Sequence, residues 1–193
     1  MAMDRMERTS SRWRHTGKRR SPTRCFSPRT LPCASLWAVA INGGLTASAP
    51  RALASGAAGA APAIDAFIDR KLRQHALTEA QLAIVGFSQG TMMALHVGLR
   101  RRQQVAGIVG YSGMLTGAHE LGHAEITKPP VLLVHGSADA IVPVAATHTA
   151  KSDLERLGID VTVHVSPGLG HSVDPFGLKL GGEFLNKSLL GYR

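Results

Sequence analysis

The chain has 193 residues, which is enough for one domain with a sizeable core and too few for two ordinary domains. Its composition, 44% apolar and 18% charged, is typical of a globular protein, and no apolar run is long enough to cross a bilayer. The net charge of +9 comes mostly from residues 1–30, where nine lysines and arginines face two acidic residues. No motif of a nucleic-acid-binding module accompanies this basic segment, so we expect no nucleic-acid partner.

Residues 1–58 are predicted to be a basic, irregular segment, disordered or divergent, and residues 59–193 a single folded core. Both cysteines, Cys25 and Cys33, lie in the first segment, so a disulfide framework is absent and a cytoplasmic protein is expected. An apolar stretch at 31–45 is followed by Ala47-Ser48-Ala49, which imitates a secretion signal. Export therefore remains the alternative localisation.

From about Gly59 onward, strand-like and helix-like periodicities alternate, which is the pattern of an α/β protein. A first helix is predicted after Pro62, a residue that suits a first helical turn. A second helix is predicted at 89–102, and its last residues, Arg100-Arg101-Arg102, are expected to complement the negative end of its dipole. Strands are predicted at 82–85, 105–111, 131–134 and 161–165, and later helices between Pro143 and Gly158 and at 176–190.

The run Gly86-Phe87-Ser88-Gln89-Gly90 fits G-x-S-x-G and stands between a predicted strand and a predicted helix. In that context the serine occupies a strained turn that lifts its hydroxyl clear of the sheet, and the flanking glycines avoid collisions. The backbone N–H of Gln89 lies at the positive end of the following helix, where an oxyanion would form. The pattern predicts that Ser88 is a nucleophile.

Two further residues follow in the order expected for such a nucleophile, an acid and then a histidine. Asp139 comes just after the predicted strand at 131–134, and His171 lies in a glycine-flanked loop beyond the strand at 161–165. Because sites in parallel sheets assemble at the carboxyl ends of strands, we expect Ser88, Asp139 and His171 to meet at one edge. The sequence therefore predicts a catalytic triad.

These motifs, with Tyr111-Ser112-Gly113 and the run 130–136 leading to Asp139 and Val142-Pro143, resemble the bacterial phospholipase/carboxylesterase family of α/β-hydrolases, relatives of the acyl-protein thioesterases. The resemblance covers about residues 59–190. It implies an α/β-hydrolase-type, mostly parallel sheet with helices on both faces. It also implies hydrolysis of small carboxylic esters, sometimes lysophospholipids or acyl thioesters, with no metal or organic cofactor.

In the implied mechanism, neutral His171 takes the proton of Ser88, and Asp139 holds the imidazole in its useful tautomer. The rate is expected to fall as the pH drops through a histidine pKa near ~6.5. Met92, Ser112 and Met114 lie close to the nucleophile in sequence and are predicted to line an acyl pocket, with ordinary core packing as the alternative for the methionines.

The family also places a His-Gly-x-Gly loop after an earlier strand, and that loop supplies a second oxyanion N–H. The nearest candidate is the apolar run 36–41 followed by Asn42-Gly43-Gly44, which lies too close to Ser88 to leave room for the usual intervening elements. We therefore expect missing or altered early strands. A sheet edge exposed in this way is a reason to expect a homodimer.

Two other functions compete with ester hydrolysis. A hydrolase remnant without oxyanion support would act as a binding protein, because loss of one donor costs about 10² to 10³ in turnover. The run His119-Glu120-Leu121-Gly122-His123 fits the H-E-x-x-H motif of zinc proteases, in which two histidines on one helix bind the metal. Nearby Gly117 and Pro129-Pro130 and the lack of a third ligand argue against that reading.

Overall fold

The computed structural model describes residues 37–38 and 50–191, all within one compact unit, Cys33–Arg193. The basic residues 1–30, the cleavage-like site at 47–49 and Asn42-Gly43-Gly44 lie outside the described residues. So does most of the apolar stretch at 31–45. The predictions made for these segments therefore stay predictions.

The fold is α/β, with five parallel strands that lie in the sheet in chain order. Because the strands are parallel, their carboxyl ends share one edge of the sheet, and loops from different strands meet there. No helix within 50–191 combines the length and apolar character that a membrane span requires. The elements are β1 (Trp37–Ala38), α1 (Pro50–His75), a 3₁₀ turn (Glu79–Gln81), β2 (Ala83–Phe87), α2 (Gln89–Leu99), β3 (Gly107–Tyr111), α3 (Ala118–Leu121), β4 (Val131–Gly136), α4 (Ala145–Arg156), β5 (Val161–Ser166) and α5 (Pro175–Leu190).

Helices cover both faces of the sheet, as the family resemblance implied. Leu72 of α1, Leu95 of α2 and Leu154 of α4 belong to one buried cluster, which also contains alternate strand residues. Val109 of β3 points to the opposite face, where Phe184 of α5 packs against it. Successive strand side chains point to opposite faces, so each central strand contributes to both cores.

The predicted strands and α5 agree with the structure to within two residues at each end, but the start of α1 was predicted wrongly. The helix begins at Pro50, and Pro62 lies inside it rather than in its first turn. Alanine has the highest helix propensity, so the alanine-rich stretch upstream of Pro62 favours helix. Ala54 and Ala57 of that stretch are also buried. Burial of these alanines thus allows the helix to continue through Pro62, although proline more often stands at the start of a helix.

The end of α2 also differs from the prediction, because the helix stops at Leu99 and Arg101 does not serve as a dipole cap. Its guanidinium is 6% exposed and turns toward α1, where it donates to Asp65 (2.9 Å) and Asp69 (2.6 Å). It also donates to Glu79 of the 3₁₀ turn (3.0 Å). Burial opposes the charge of Arg101, but these hydrogen bonds outweigh it and raise the pKa of the guanidinium. One arginine thereby ties α1 to the core.

Replacing Arg101 with leucine is expected to lower the free energy of unfolding by about 2 kcal/mol. The change leaves three carboxylates close together without a cation, and their partial exposure screens part of the cost. Urea unfolding followed by circular dichroism measures the loss. The matched control is Arg102→Leu at the exposed neighbouring position, and an equal loss in both variants would contradict the role assigned to Arg101.

Candidate active site

Ser88 lies in a tight turn between β2 and α2, with its backbone in the left-handed region (φ 54°). Serine rarely adopts this conformation, so the surrounding structure must hold it there. A side chain at Gly86 would overlap the backbone of Gly90, which explains the first glycine of the motif. The single hydroxyl hydrogen of Thr91 is shared between the carbonyls of Gly86 (3.0 Å) and Tyr111 (2.9 Å), which connects α2 to two strands.

The structure brings Ser88, Asp139 and His171 together at the carboxyl edge of the sheet. Nδ1 of His171 lies 2.7 Å from Oδ2 of Asp139, and Nε2 of His171 lies 3.0 Å from Oγ of Ser88. An ionised carboxylate only accepts, so Nδ1 carries the proton and Nε2 is left to accept from the serine hydroxyl. In this arrangement the imidazole is oriented as a base toward Ser88.

The carboxylate of Asp139 is buried, yet it is held in the ionised form. Its Oδ1 accepts from the backbone N–H groups of Ile141 (2.8 Å) and Val142 (2.9 Å). Burial alone would raise the pKa of Asp139, but the hydrogen bonds from His171, Val142 and Ile141 outweigh it and lower that pKa. Asp139 therefore remains an acceptor for His171 throughout the neutral pH range.

The loop that carries His171 packs closely against the end of β4. The N–H of Ala138 donates to the carbonyl of Leu169 (2.9 Å). A side chain at Gly136 would overlap the carbonyl oxygens of Leu169 and Gly170, directly before His171. The absence of a side chain at Gly136 is thus what allows the loop to approach the sheet.

Replacing Gly136 with alanine is expected to lower kcat for an ester substrate about 100-fold by pushing the His171 loop away from Ser88. The matched control is Gly182→Ala in α5, where an added methyl meets no atom within 4 Å. Ester hydrolysis and thermal unfolding of both variants check the prediction. Full activity of a folded Gly136→Ala protein would show that the loop tolerates the displacement.

The residues predicted to line the acyl pocket have different positions. Ser112 is 1% exposed, and its hydroxyl donates to the carbonyl of Ser172 (3.1 Å), so it anchors the His171 loop. Met92 is 4% exposed and is placed like a core residue. Met114 is half-buried, so it is the one of the three residues that is exposed enough to contact a substrate.

Sequence reasoning missed two residues that contact the triad. The ring of Phe87 lies 5.0 Å from the ring of His171, and the residue is 43% exposed. His135 approaches Asp139 from the end of β4. A signal for each was present in the sequence, since Phe87 directly precedes Ser88 and His135 stands four residues before Asp139.

The zinc-binding alternative loses its structural basis in α3. That helix ends at Leu121, so His123 lies beyond it and the two histidines do not share one continuous helix. Within residues 54–191, no group of three or more His, Cys, Asp or Glu side chains is placed to hold a metal ion. Gln89, the other predicted site residue, is the first residue of α2, so its backbone N–H lies in the first helical turn.

Comparison with known proteins identifies the family. The sequence model of the family described as Phospholipase/Carboxylesterase matches residues 44–189. The chain belongs to this family. The crystal structure of esterase PE8 is similar to this chain, with 40% sequence identity and a TM-score of 0.72. The match covers 76% of this chain and 68% of the PE8 chain.

Two further relatives of this chain have names that indicate an activity. Acyl-protein thioesterase 1 of Gibberella zeae is 35% identical over 116 residues, which is 56% of this chain and 48% of that protein. Lysophospholipase-like protein 1 of Mus musculus is 31% identical over 115 residues, 58% of this chain and 48% of that protein. The chain thus spans about half the length of these two relatives. Membership of the bacterial group within this family stays a prediction.

Proposed function

We propose that the chain is a serine hydrolase that cleaves carboxylic esters through an acyl-enzyme on Ser88. The observation that carries the proposal is the continuous hydrogen-bonded series from Asp139 through His171 to Ser88. Family membership supports the same reaction class. The names of the relatives, which include esterase and acyl-protein thioesterase, extend the candidate substrates to acyl thioesters and lysophospholipids.

In the proposed reaction, Nε2 of His171 takes the hydroxyl proton of Ser88 while Oγ attacks the acyl carbonyl carbon. The negative charge that forms on the carbonyl oxygen is stabilised by the backbone N–H of Gln89 at the start of α2. His171 then gives its proton to the departing alkoxide or thiolate. A water molecule attacks the acyl-enzyme with His171 again as base, which releases the acid and restores Ser88.

The apolar surroundings of the triad favour an apolar acyl group. Phe87 is exposed beside the imidazole, and Ile141, 70% exposed, lies on the loop of Asp139. Met114, two residues beyond Ser112 in sequence and half-buried, is proposed to contribute a flexible side chain to the same acyl-binding surface. Exposed apolar side chains close to a polar reaction centre are suited to bind an acyl chain.

The decisive experiment is labelling with a fluorophosphonate, which reacts with a serine that has an active base and oxyanion support. The expected result is one adduct on the peptide that contains Ser88, absent in His171→Gln, together with turnover of p-nitrophenyl butyrate. A protein that neither reacts nor turns over the ester would instead be a binding protein. If a chelator abolished the activity and the fluorophosphonate did not, metal-dependent hydrolysis would be favoured.

A further inference from the structure

His135 makes contacts that link the triad acid to the interior of the protein. It lies at the end of β4 and its side chain is fully buried. Nε2 of His135 is 2.8 Å from the carbonyl oxygen of Val142 and 3.2 Å from Oδ2 of Asp139. Nδ1 is 2.6 Å from Oγ1 of Thr147 in α4. Both ring nitrogens therefore have partners, although the residue has no place in the three-residue mechanism.

The partners of His135 determine where its proton lies. The carbonyl of Val142 and the ionised carboxylate of Asp139 can only accept, so Nε2 must carry a hydrogen. In the neutral ring Nδ1 then accepts, and the hydroxyl of Thr147 is its donor. The Thr147 hydroxyl thus selects the tautomer that directs an N–H to the carbonyl of Val142, on the loop of Asp139.

We propose that His135 is a positioning residue for the triad: its Nε2–H, oriented by Thr147, holds the carbonyl of Val142 and with it the loop that presents the Asp139 carboxylate to His171. This inference rests on the proposed function. It adds Thr147, His135 and the backbone of Val142 to the contacts that hold Asp139 beside His171.

The physical reason lies in how the two carboxylate oxygens of Asp139 are held. Oδ1 accepts two backbone N–H groups, which fix one end of the group. Oδ2 accepts from His171, and Val142, whose N–H donates to Oδ1, is itself held through its carbonyl by Nε2–H of His135. Without His135, the carbonyl of Val142 loses its donor, so the loop at 139–142, the carboxylate and the imidazole can move together away from Ser88. Misplacement of a base by about 1 Å costs on the order of 100-fold in rate.

Four variants test the proposal through the kinetics of p-nitrophenyl butyrate hydrolysis. His135→Leu is expected to lower kcat about 10- to 100-fold and to leave KM within about threefold, since no substrate contact is lost. His135→Gln, whose amide both donates and accepts, is expected to recover most of kcat. Thr147→Val, which removes the donor to Nδ1, should give an intermediate loss.

The matched control is His96→Leu, a second buried histidine, which is 5% exposed and lies in α2. Its Nδ1 has no hydrogen-bond partner among the described residues. Burial, followed by the charge of Arg100, lowers the pKa of His96, so the leucine variant loses no charge near neutral pH. Its kcat should match the wild type. A His135→Leu variant that also matches, or a Gln variant no better than Leu, overturns the proposal.

An NMR measurement decides the question without turnover. Imidazole nitrogen shifts of the wild-type protein are expected to report the Nε2–H tautomer for His135, and the Nδ1 proton of His171 should change its resonance in His135→Leu. An Nδ1–H tautomer at His135, or an unchanged His171 proton, overturns the inference. Failure of Ser88 to react with the fluorophosphonate removes the proposed function instead, so the two failures are distinguishable.

Discussion

Replacing Ser88 with alanine is expected to lower kcat for p-nitrophenyl butyrate about 10⁴-fold or more. The change removes only Oγ, which lies 3.0 Å from Nε2 of His171, so no acyl-enzyme can form. Ser88 already has a positive φ, and alanine keeps the same Cβ atom, so the substitution adds no backbone strain. We therefore expect the fold and the unfolding temperature to stay close to those of the wild type.

The kinetics of purified Ser88→Ala, with active-site labelling as a second readout, check this result. Ser152→Ala, at an exposed serine of α4, is the matched control and should keep full activity. If the Ser88 variant retained more than about a tenth of the wild-type kcat, another nucleophile would have to be sought.

Replacing Asp139 with asparagine is expected to lower kcat about 10³- to 10⁴-fold. The two backbone N–H groups of Ile141 and Val142 require an acceptor, so the amide oxygen takes the place of Oδ1. The amide NH₂ then faces Nδ1 of His171, which must become the acceptor. The imidazole proton moves to Nε2, and the ring can no longer take the proton of Ser88.

Steady-state kinetics and the nitrogen shifts of His171 test this change of tautomer. The control is Asp160→Asn, an exposed acid directly before β5, which should leave both readouts unchanged. An asparagine variant with kcat within about tenfold of the wild type would mean that the orientation of His171 does not depend on the carboxylate.

The parts of the site that could be predicted depend on local patterns. The strand-to-helix context of Ser88 is visible within ten residues, and the order of Asp139 and His171 along the chain follows from the topology of a parallel sheet. Short apolar runs marked the strands at 82–85 and 131–134, because a strand that is buried on both faces has almost no polar positions, and alternation marked the strand at 161–165.

What could not be predicted depends on contacts between distant segments. The pairing of Arg101 with Asp65 and Asp69 joins residues more than thirty positions apart, so the local pattern suggested only a dipole cap. The start of α1 depends on the burial of small alanines, which give little hydrophobic periodicity. His135 reaches Asp139 only because the loop at 137–142 folds back on its own strand, which no spacing rule describes.

The hydrogen bond from the Ser112 hydroxyl to the Ser172 carbonyl makes the activity of the protein depend on residues outside the triad. Strand β3 supplies none of the side chains of the proposed triad, yet the residue directly after it fixes the backbone next to His171. Substitutions that impair turnover should therefore occur on a strand that a search confined to the reacting side chains would ignore. A saturation screen of residues 107–113 for ester hydrolysis, in variants that still fold, would reveal such positions.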